Sequence, residues 1–145
     1  MVMISEDELV RQFVSRSLTN LYFVEGAYCN GEDVYETTQL INSLLCLVVL
    51  PNEHDLERIP ETHLNELHEW PEIRIQKSCT TLRDLVKNFR HAIAHFNIHL
   101  IGQDEIEAVR FENFYKGNLR WEQTFKIDEL RQVAYLLHQT ILKHF

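Results

Sequence analysis

One stretch decides how this chain folds: Asn88-Phe89-Arg90-His91-Ala92-Ile93-Ala94-His95-Phe96. At the 3.6-residue period of an α-helix, the apolar residues of this stretch and of the turns before it lie in one narrow stripe, which predicts a buried helix face. We expect the helix to begin at residues 78–81, where Thr81 and Asp84 can cap it, and to end near Asn97. The predicted core stripe consists of Leu82, Leu85, Val86, Phe89, Ile93 and Phe96.

The opposite face of this predicted helix is basic and carries an arginine without a local partner. Arg90 and His95 lie about 140° apart around the helix, with His91 and the small Ala94 between them. An arginine that only stabilises a helix usually has an acid three or four residues away, whereas Arg90 has three apolar residues and a lysine there. The face consists of Arg83, Lys87, Arg90, His91, Ala94 and His95.

Two histidines four residues apart, next to an arginine and a lysine, indicate acid–base chemistry on this face. Neighbouring positive charge disfavours protonation of an imidazole, so we expect a neutral histidine to be available as a base near pH 7. If two copies packed over Ala94, Arg90 of one copy could meet His95 of the other in an isologous contact. The alternative is a charged surface helix with one or two core histidines.

The run from Leu82 to Phe96 resembles the signature helix of the HEPN superfamily (higher eukaryotes and prokaryotes nucleotide-binding domain). That family carries R-x(4-6)-H near the end of a core helix, often with Asn, Asp or His directly after the arginine. Arg90, His91 and His95 fill these three positions. Residues 37–45 also resemble a helix of some plasmid- and prophage-borne members.

The resemblance implies a metal-independent endoribonuclease that acts as a homodimer through the motif helix. Family members cut RNA without a cofactor, using arginine and histidine motifs brought together across the dimer. Arg90 would bind the phosphate, His95 would transfer the proton, and His91 would assist by orientation. Such proteins leave a 2′,3′-cyclic phosphate, and many act as toxins, paired with an antitoxin protein, or in phage defence. The alternative is a non-catalytic HEPN dimerisation module that binds RNA or nucleotide.

Four further residues are candidates for substrate binding. Lys87 lies on the basic face, and Asn97 stands where some HEPN toxins carry a tyrosine that a nucleotidyltransferase antitoxin modifies, so control by that route is not expected. Thr38 and Asn42 form a polar stripe with Tyr35 on a helix that we expect to be buried. They either bond to a neighbouring helix or face the motif helix and position His95 or a ligand.

The charge of the chain is unevenly distributed. Of 145 residues, 22 are acidic and 14 are basic, and the resulting net charge of −8 argues against a general nucleic-acid coat protein. Residues 74–103 differ, because they hold five basic residues and only one acid, Asp84, and they include the motif. This segment permits contact with phosphates. Pairing of an acidic half, 1–73, with a basic half, 74–145, is the structural alternative.

The remaining patterns predict a mainly α domain over residues 1–145, with four or five helices and a β-hairpin inserted before the C-terminal helix. The resemblance implies that these helices form a HEPN-type bundle. We expect a first helix capped by Ser5, a second over residues 33–50 that Pro51 ends, and a short helix near 64–67. The hairpin pairs residues 105–114 with 119–127. Asp128 is the expected N-cap of the last helix, and its core stripe is Leu130, Val133, Ala134, Leu137 and Ile141.

Composition and the spacing of motifs argue against several other classes of protein. The three cysteines, Cys29, Cys46 and Cys79, form no C-x-x-C pair, which favours reduced, buried thiols in a cytoplasmic protein. The first residues lack a signal-peptide pattern and the longest apolar run is too short to span a bilayer, so no membrane role is expected. A metal-dependent hydrolase that uses His54, His63 and His68 is disfavoured, because their spacing does not suit one helix face. No phosphate-binding glycine loop or G-x-S-x-G motif is present.

Overall fold

A computed structural model describes residues 1–46 and 53–145 of the chain. In these ranges five α-helices and a three-stranded antiparallel sheet are present, which confirms the mainly α class. The helices are α1 (Glu6–Cys29), α2 (Glu36–Leu45), α3 (Glu53–Leu56), α4 (Leu82–Ala94) and α5 (Ile127–His144), and the strands are β1 (Ile98–Ile101), β2 (Ala108–Tyr115) and β3 (Asn118–Lys126).

The sheet has one strand more than the expected hairpin. Strands β2 and β3 form that hairpin, and β1 adds to its other side in the order β1-β2-β3, with Ile98 opposite Phe111. Strand β1 begins only four residues after the last residue of α4, in a region where we expected an irregular end to the helix. Because β1 has four residues, its period of two is too short to stand out in the sequence.

The core lies where α4 packs on the inner face of the sheet. The Phe89 ring of α4 lies 4.7 Å from the Phe111 ring, 5.7 Å from the Trp121 ring and 5.6 Å from the Phe125 ring, measured between centroids. All four side chains are buried. These tilted contacts avoid the face-to-face stacking that aromatic quadrupoles disfavour, and they fix which face of α4 points inward.

Helix α5 covers the core from another side, and its predicted stripe is confirmed because all five residues are buried. It packs on α1 and on the sheet, and α1 in turn packs on α2. The expected N-cap of α5 was wrong by two residues. The Glu129 carboxylate accepts a hydrogen bond from the backbone N–H of Lys126 at 3.0 Å, so the helix begins at Ile127, and Asp128 lies inside its first turn and pairs with Arg131.

The other helix boundaries follow local hydrogen bonds. Ser5 caps α1 as predicted, since its Oγ accepts from the N–H of Glu8 at 3.2 Å. Thr81 caps α4 in a reciprocal capping box with Asp84. Helix α2 begins later than predicted, and the apolar end of its predicted range lies outside the described residues. Between α3 and α4, residues 64–66 form a single 3₁₀ turn rather than an α-helix.

The cysteines divide into two groups. Cys46 and Cys79 are buried as expected, whereas Cys29, the last residue of α1, is exposed. Among the described helices, none is both long and apolar enough to cross a membrane.

We predict that Phe89→Ala lowers the free energy of unfolding by about 3–5 kcal/mol, because it removes the ring that three other buried rings contact. Urea denaturation followed by circular dichroism measures this loss. The matched control is Phe23→Ala on α1, whose side chain is 77% exposed; it should change stability by less than about 0.5 kcal/mol. Equal losses in the two variants would contradict the placement of Phe89.

Candidate functional site

The candidate site is built on the last turn of α4 and the two residues that follow its cap. His95 is the C-cap, and the chain then reverses in a Schellman turn. The backbone N–H of Phe96 donates to the carbonyl of Ile93 at 3.1 Å, and the N–H of Asn97 donates to the carbonyl of Ala92 at 2.8 Å. These bonds use carbonyl groups that the end of a helix would otherwise leave unpaired.

Phe96 does not belong to the core stripe, so that prediction was wrong. Its side chain is 82% exposed, and its backbone has the left-handed φ of +58°. The reason is that α4 ends at Ala94, and the Schellman turn rotates the next residue off the helical period. The other five predicted stripe residues are buried.

The motif residues differ in how far they are exposed to solvent. Arg90 and His91 are half-buried, whereas Ala94 and His95 are exposed. The rings of His91 and His95 are parallel within 4°, with centroids 6.3 Å apart, so the structure brings these two histidines together. Helix geometry keeps Arg90 about 140° around the axis from His95.

The positively charged residues of the basic face differ in whether an acidic side chain neutralises them. Arg83 is used structurally: its guanidinium bonds to the Glu61 carboxylate at 3.0 Å and to the carbonyl of Ile59 at 2.7 Å. Among the residues that the structure describes, no carboxylate pairs with Lys87, Arg90 or His95. Uncompensated cations on a partly exposed helix face are suited to an anionic ligand.

On the outer face of the sheet, Arg110 is paired with acidic residues. Glu112 accepts from His99 at 2.6 Å and from Arg110 at 3.2 Å, and Glu122 lies 3.8 Å from the same arginine. The two glutamates therefore neutralise the positive charge of the residues beside them. Arg110 is therefore not available to lengthen a track for nucleic acid from α4.

Asn97, a predicted substrate-binding residue, has its backbone fully used. Its N–H closes the Schellman turn, and its carbonyl accepts from the N–H of Glu112 on β2 at 3.0 Å. The residue is half-buried. It therefore connects the end of the motif helix to the sheet, and its role towards a substrate stays a prediction.

A positioning residue that we did not predict is Asn88, which is buried in α4. Its side chain donates to the carbonyl of Asp84 at 3.0 Å and accepts from the Asn113 amide of β2 at 2.9 Å. This side-chain pair fixes α4 against the sheet two residues before Arg90. The signal was present in the sequence, since Asn88 lies three residues after Leu85 and thus beside the apolar stripe.

Cys79 lies close to Asn88 but is not suited to act as a nucleophile. Burial raises the pKa of its thiol to about 12, with a smaller contribution from the nearby Asp84 carboxylate, and the hydrogen bond with Asn88 only partly opposes this rise. At neutral pH the sulfur therefore stays protonated, whereas the thiolate is the reactive form.

The structure does not bring Thr38 or Asn42 to the motif. The stripe that they form with Tyr35 is exposed, so our expectation of a buried stripe was wrong; α2 packs on α1 and α5. Thr38 lines a cleft of about 860 Å³, and no motif residue contributes to its walls. Acidic residues of that cleft are Glu36, Asp104, Glu105, Glu107 and Asp128.

Histidines outside the motif serve local roles. His54 lies 3.8 Å from Glu57 with its side chain 87% exposed, and His63 accepts a hydrogen bond from the N–H of Asn65 at 3.3 Å. Within residues 1–46 and 53–145, no group of three histidine, cysteine or acidic side chains is placed to hold a metal ion.

We predict that Asn88→Ala and Asn113→Ala each destabilise the protein by about 1–3 kcal/mol, because each leaves a polar partner unpaired in the core. The double variant should cost less than the sum of the two, by about 0.5 kcal/mol or more. Urea denaturation of the four proteins measures this coupling. Asn20→Ala, on the exposed side of α1, is the control, and additive losses would contradict a direct Asn88–Asn113 bond.

Comparison with known proteins identifies the family. The family model described as HEPN pEK499 p136 matches residues 1–145, the whole chain. The chain therefore belongs to this HEPN family, which confirms the resemblance noted from the motif. No curated protein and no solved structure matches the chain.

Proposed function

We propose that this HEPN-family chain is an endoribonuclease in which Arg90 of one subunit and His95 of another form each active site. Family membership supports a HEPN-type nuclease or nucleotide-binding module. The observation that carries the finer proposal is that Lys87 and Arg90, on the same helix face as the exposed His95, have no carboxylate partner among the residues that the structure describes. A phosphodiester supplies the missing negative charge.

The reaction follows from the chemistry of these side chains. The neutral His95 imidazole takes the proton of a ribose 2′-hydroxyl, whose oxygen then attacks the adjacent phosphorus. The bond from phosphorus to the 5′-oxygen breaks, so the products are a 2′,3′-cyclic phosphate and a 5′-hydroxyl that receives a proton. Arg90 binds the phosphate oxygens through two N–H groups and stabilises the charge that develops on them. His91, parallel to His95, assists by orientation.

Two subunits are needed because one helix separates the two groups. Arg90 and His95 are five residues apart, which is about 7.5 Å along the axis as well as about 140° around it. Ala94 is exposed between them and has a small side chain, so a second helix can approach closely at this point. A two-fold axis near Ala94 would place each arginine beside the partner's histidine.

The cellular role that we propose is that of a toxin or phage-defence effector in the cytoplasm, with RNA as substrate and an antitoxin protein as regulator. This part rests on the family alone. Asn97 replaces the tyrosine that is modified in some HEPN toxins, so we do not propose regulation by that modification.

A second candidate function is a non-catalytic HEPN module that dimerises and binds RNA or nucleotide. The net charge of −8 favours the form of this candidate that dimerises or binds a small nucleotide, because a negative protein repels RNA outside the basic segment.

We predict that the purified protein cleaves labelled single-stranded RNA in excess EDTA and leaves a cyclic phosphate. His95→Ala and Arg90→Ala should each reduce the rate by about 100-fold or more, because they remove proton transfer and charge stabilisation. His54→Ala changes an exposed histidine outside the motif and should leave the rate unaltered. Retained cleavage in His95→Ala would show that the activity belongs to another site or protein, and no cleavage by a stable dimer would favour the binding module.

A composite site makes a sharper prediction for mixed subunits. When Arg90→Ala and His95→Ala proteins are unfolded together, refolded and assayed, each mixed dimer contains one intact site and one doubly altered site. Random mixing should therefore restore about a quarter of the wild-type rate. If the arginine and the histidine acted within one subunit, every site would lack one group, and the mixture would be as inactive as either variant alone.

A further inference from the structure

The backbone of Phe96 has a conformation that its side chain disfavours. Its φ of +58° lies in the left-handed region, where a Cβ atom crowds the backbone and where glycine or asparagine is the usual residue at the end of a helix. A bulky aromatic residue here is an outlier that costs stability. Such strain is commonly found where a side chain has a functional role.

Packing does not compensate for this cost. The Phe96 side chain is 82% exposed, whereas Phe89, Phe111 and Phe125 are buried in the core. Among the described residues, the Phe96 ring takes part in none of the aromatic pairs. An exposed ring next to a candidate catalytic histidine is therefore available to a ligand.

The backbone that carries the exposed ring is held in place. The two Schellman bonds fix the backbone on the helix side of Phe96, and the bond from the N–H of Glu112 to the carbonyl of Asn97 fixes it on the sheet side. A side chain on a fixed backbone loses less conformational freedom when it binds than one on a mobile loop. The ring is thus presented by an ordered backbone directly beside His95.

We propose that Phe96 is the surface on which an unpaired RNA base stacks next to the phosphate that lies between His95 of the same subunit and Arg90 of the second subunit. Every base has a π-face, so stacking on an aromatic ring tolerates different sequences but requires a base that is free of a duplex. Lys87 and Arg90, which no carboxylate of the described residues neutralises, supply the electrostatic attraction that accompanies such stacking surfaces. The substrate class is therefore single-stranded RNA, and the proposal rests on RNA being the ligand of the proposed function.

The test separates stacking from a structural role by using the strained backbone. Phe96→Gly removes the ring and relaxes the left-handed residue, so its melting temperature should equal or exceed that of the wild type. Its Kd for a fluorescein-labelled, fully 2′-O-methylated 12-nucleotide RNA, which cannot be cleaved, should rise by about tenfold. Phe96→Trp should restore the affinity. Phe23→Ala removes an exposed ring on α1, and its Kd should stay unchanged.

Fluorescence anisotropy measures the Kd, and sedimentation measures the oligomeric state of each variant. An unchanged Kd in Phe96→Gly would overturn the proposal, as would a lower melting temperature or dissociation of a dimer, which would assign the ring to packing or to a second copy. No RNA binding by the wild type would overturn it too. If RNA binding depends on Phe96 but the wild type does not cleave RNA, the stacking proposal stands and the ribonuclease proposal fails. If the wild type cleaves RNA but the Kd of Phe96→Gly is unchanged, the ribonuclease proposal stands and the stacking proposal fails.

Discussion

The contact of the Phe89 ring with three rings of the sheet determines how the rest of the molecule is arranged. Because Phe111, Trp121 and Phe125 surround this one side chain, rotation of α4 about its axis would expose an aromatic surface to water. The neighbouring residue, Arg90, is then directed about 100° away from the core by helix geometry. The basic face of α4 is therefore a consequence of the packing on its opposite side.

The sequence was a good guide wherever a pattern repeated over several turns, and a poor one where single hydrogen bonds decide the path. The stripes of α4 and α5 were predictable because buried residues recur at 3.6-residue spacing. The end of α4 was not predictable in this way. A Schellman turn is usually recognised in a sequence by a glycine, and this chain has Phe96 at that position. Strand β1 and the exposure of the polar stripe that includes Thr38 depend on contacts with distant parts of the chain, and the periodicity of the sequence does not reveal such contacts.

Several arginines of this protein join distant parts of the chain, and Arg90 can be compared with them. Arg58 binds Asp7 of α1 at 2.8 Å, and Arg131 of α5 binds Glu25 of α1 at 3.0 Å. Each of these guanidinium groups has an acid from another element. Arg90, in the same fold, has no such acid among the described residues, so a role in joining helices does not explain it. The lack of an acid three or four residues from Arg90 is already visible in the sequence, and it is the reason why we predicted a site there.

The connection between α1 and α5 has a consequence for synthesis on the ribosome. Arg11 of α1 donates to the carbonyl of Leu142 in α5 at 2.8 Å, across 131 positions of sequence. From α4 to α5, by contrast, the elements pack largely on their neighbours in sequence, so they can assemble locally and early. Helix α1 is translated before α5, so the part of its apolar side that packs on α5 stays uncovered until α5 has been made, whereas the part that packs on α2 can be covered earlier.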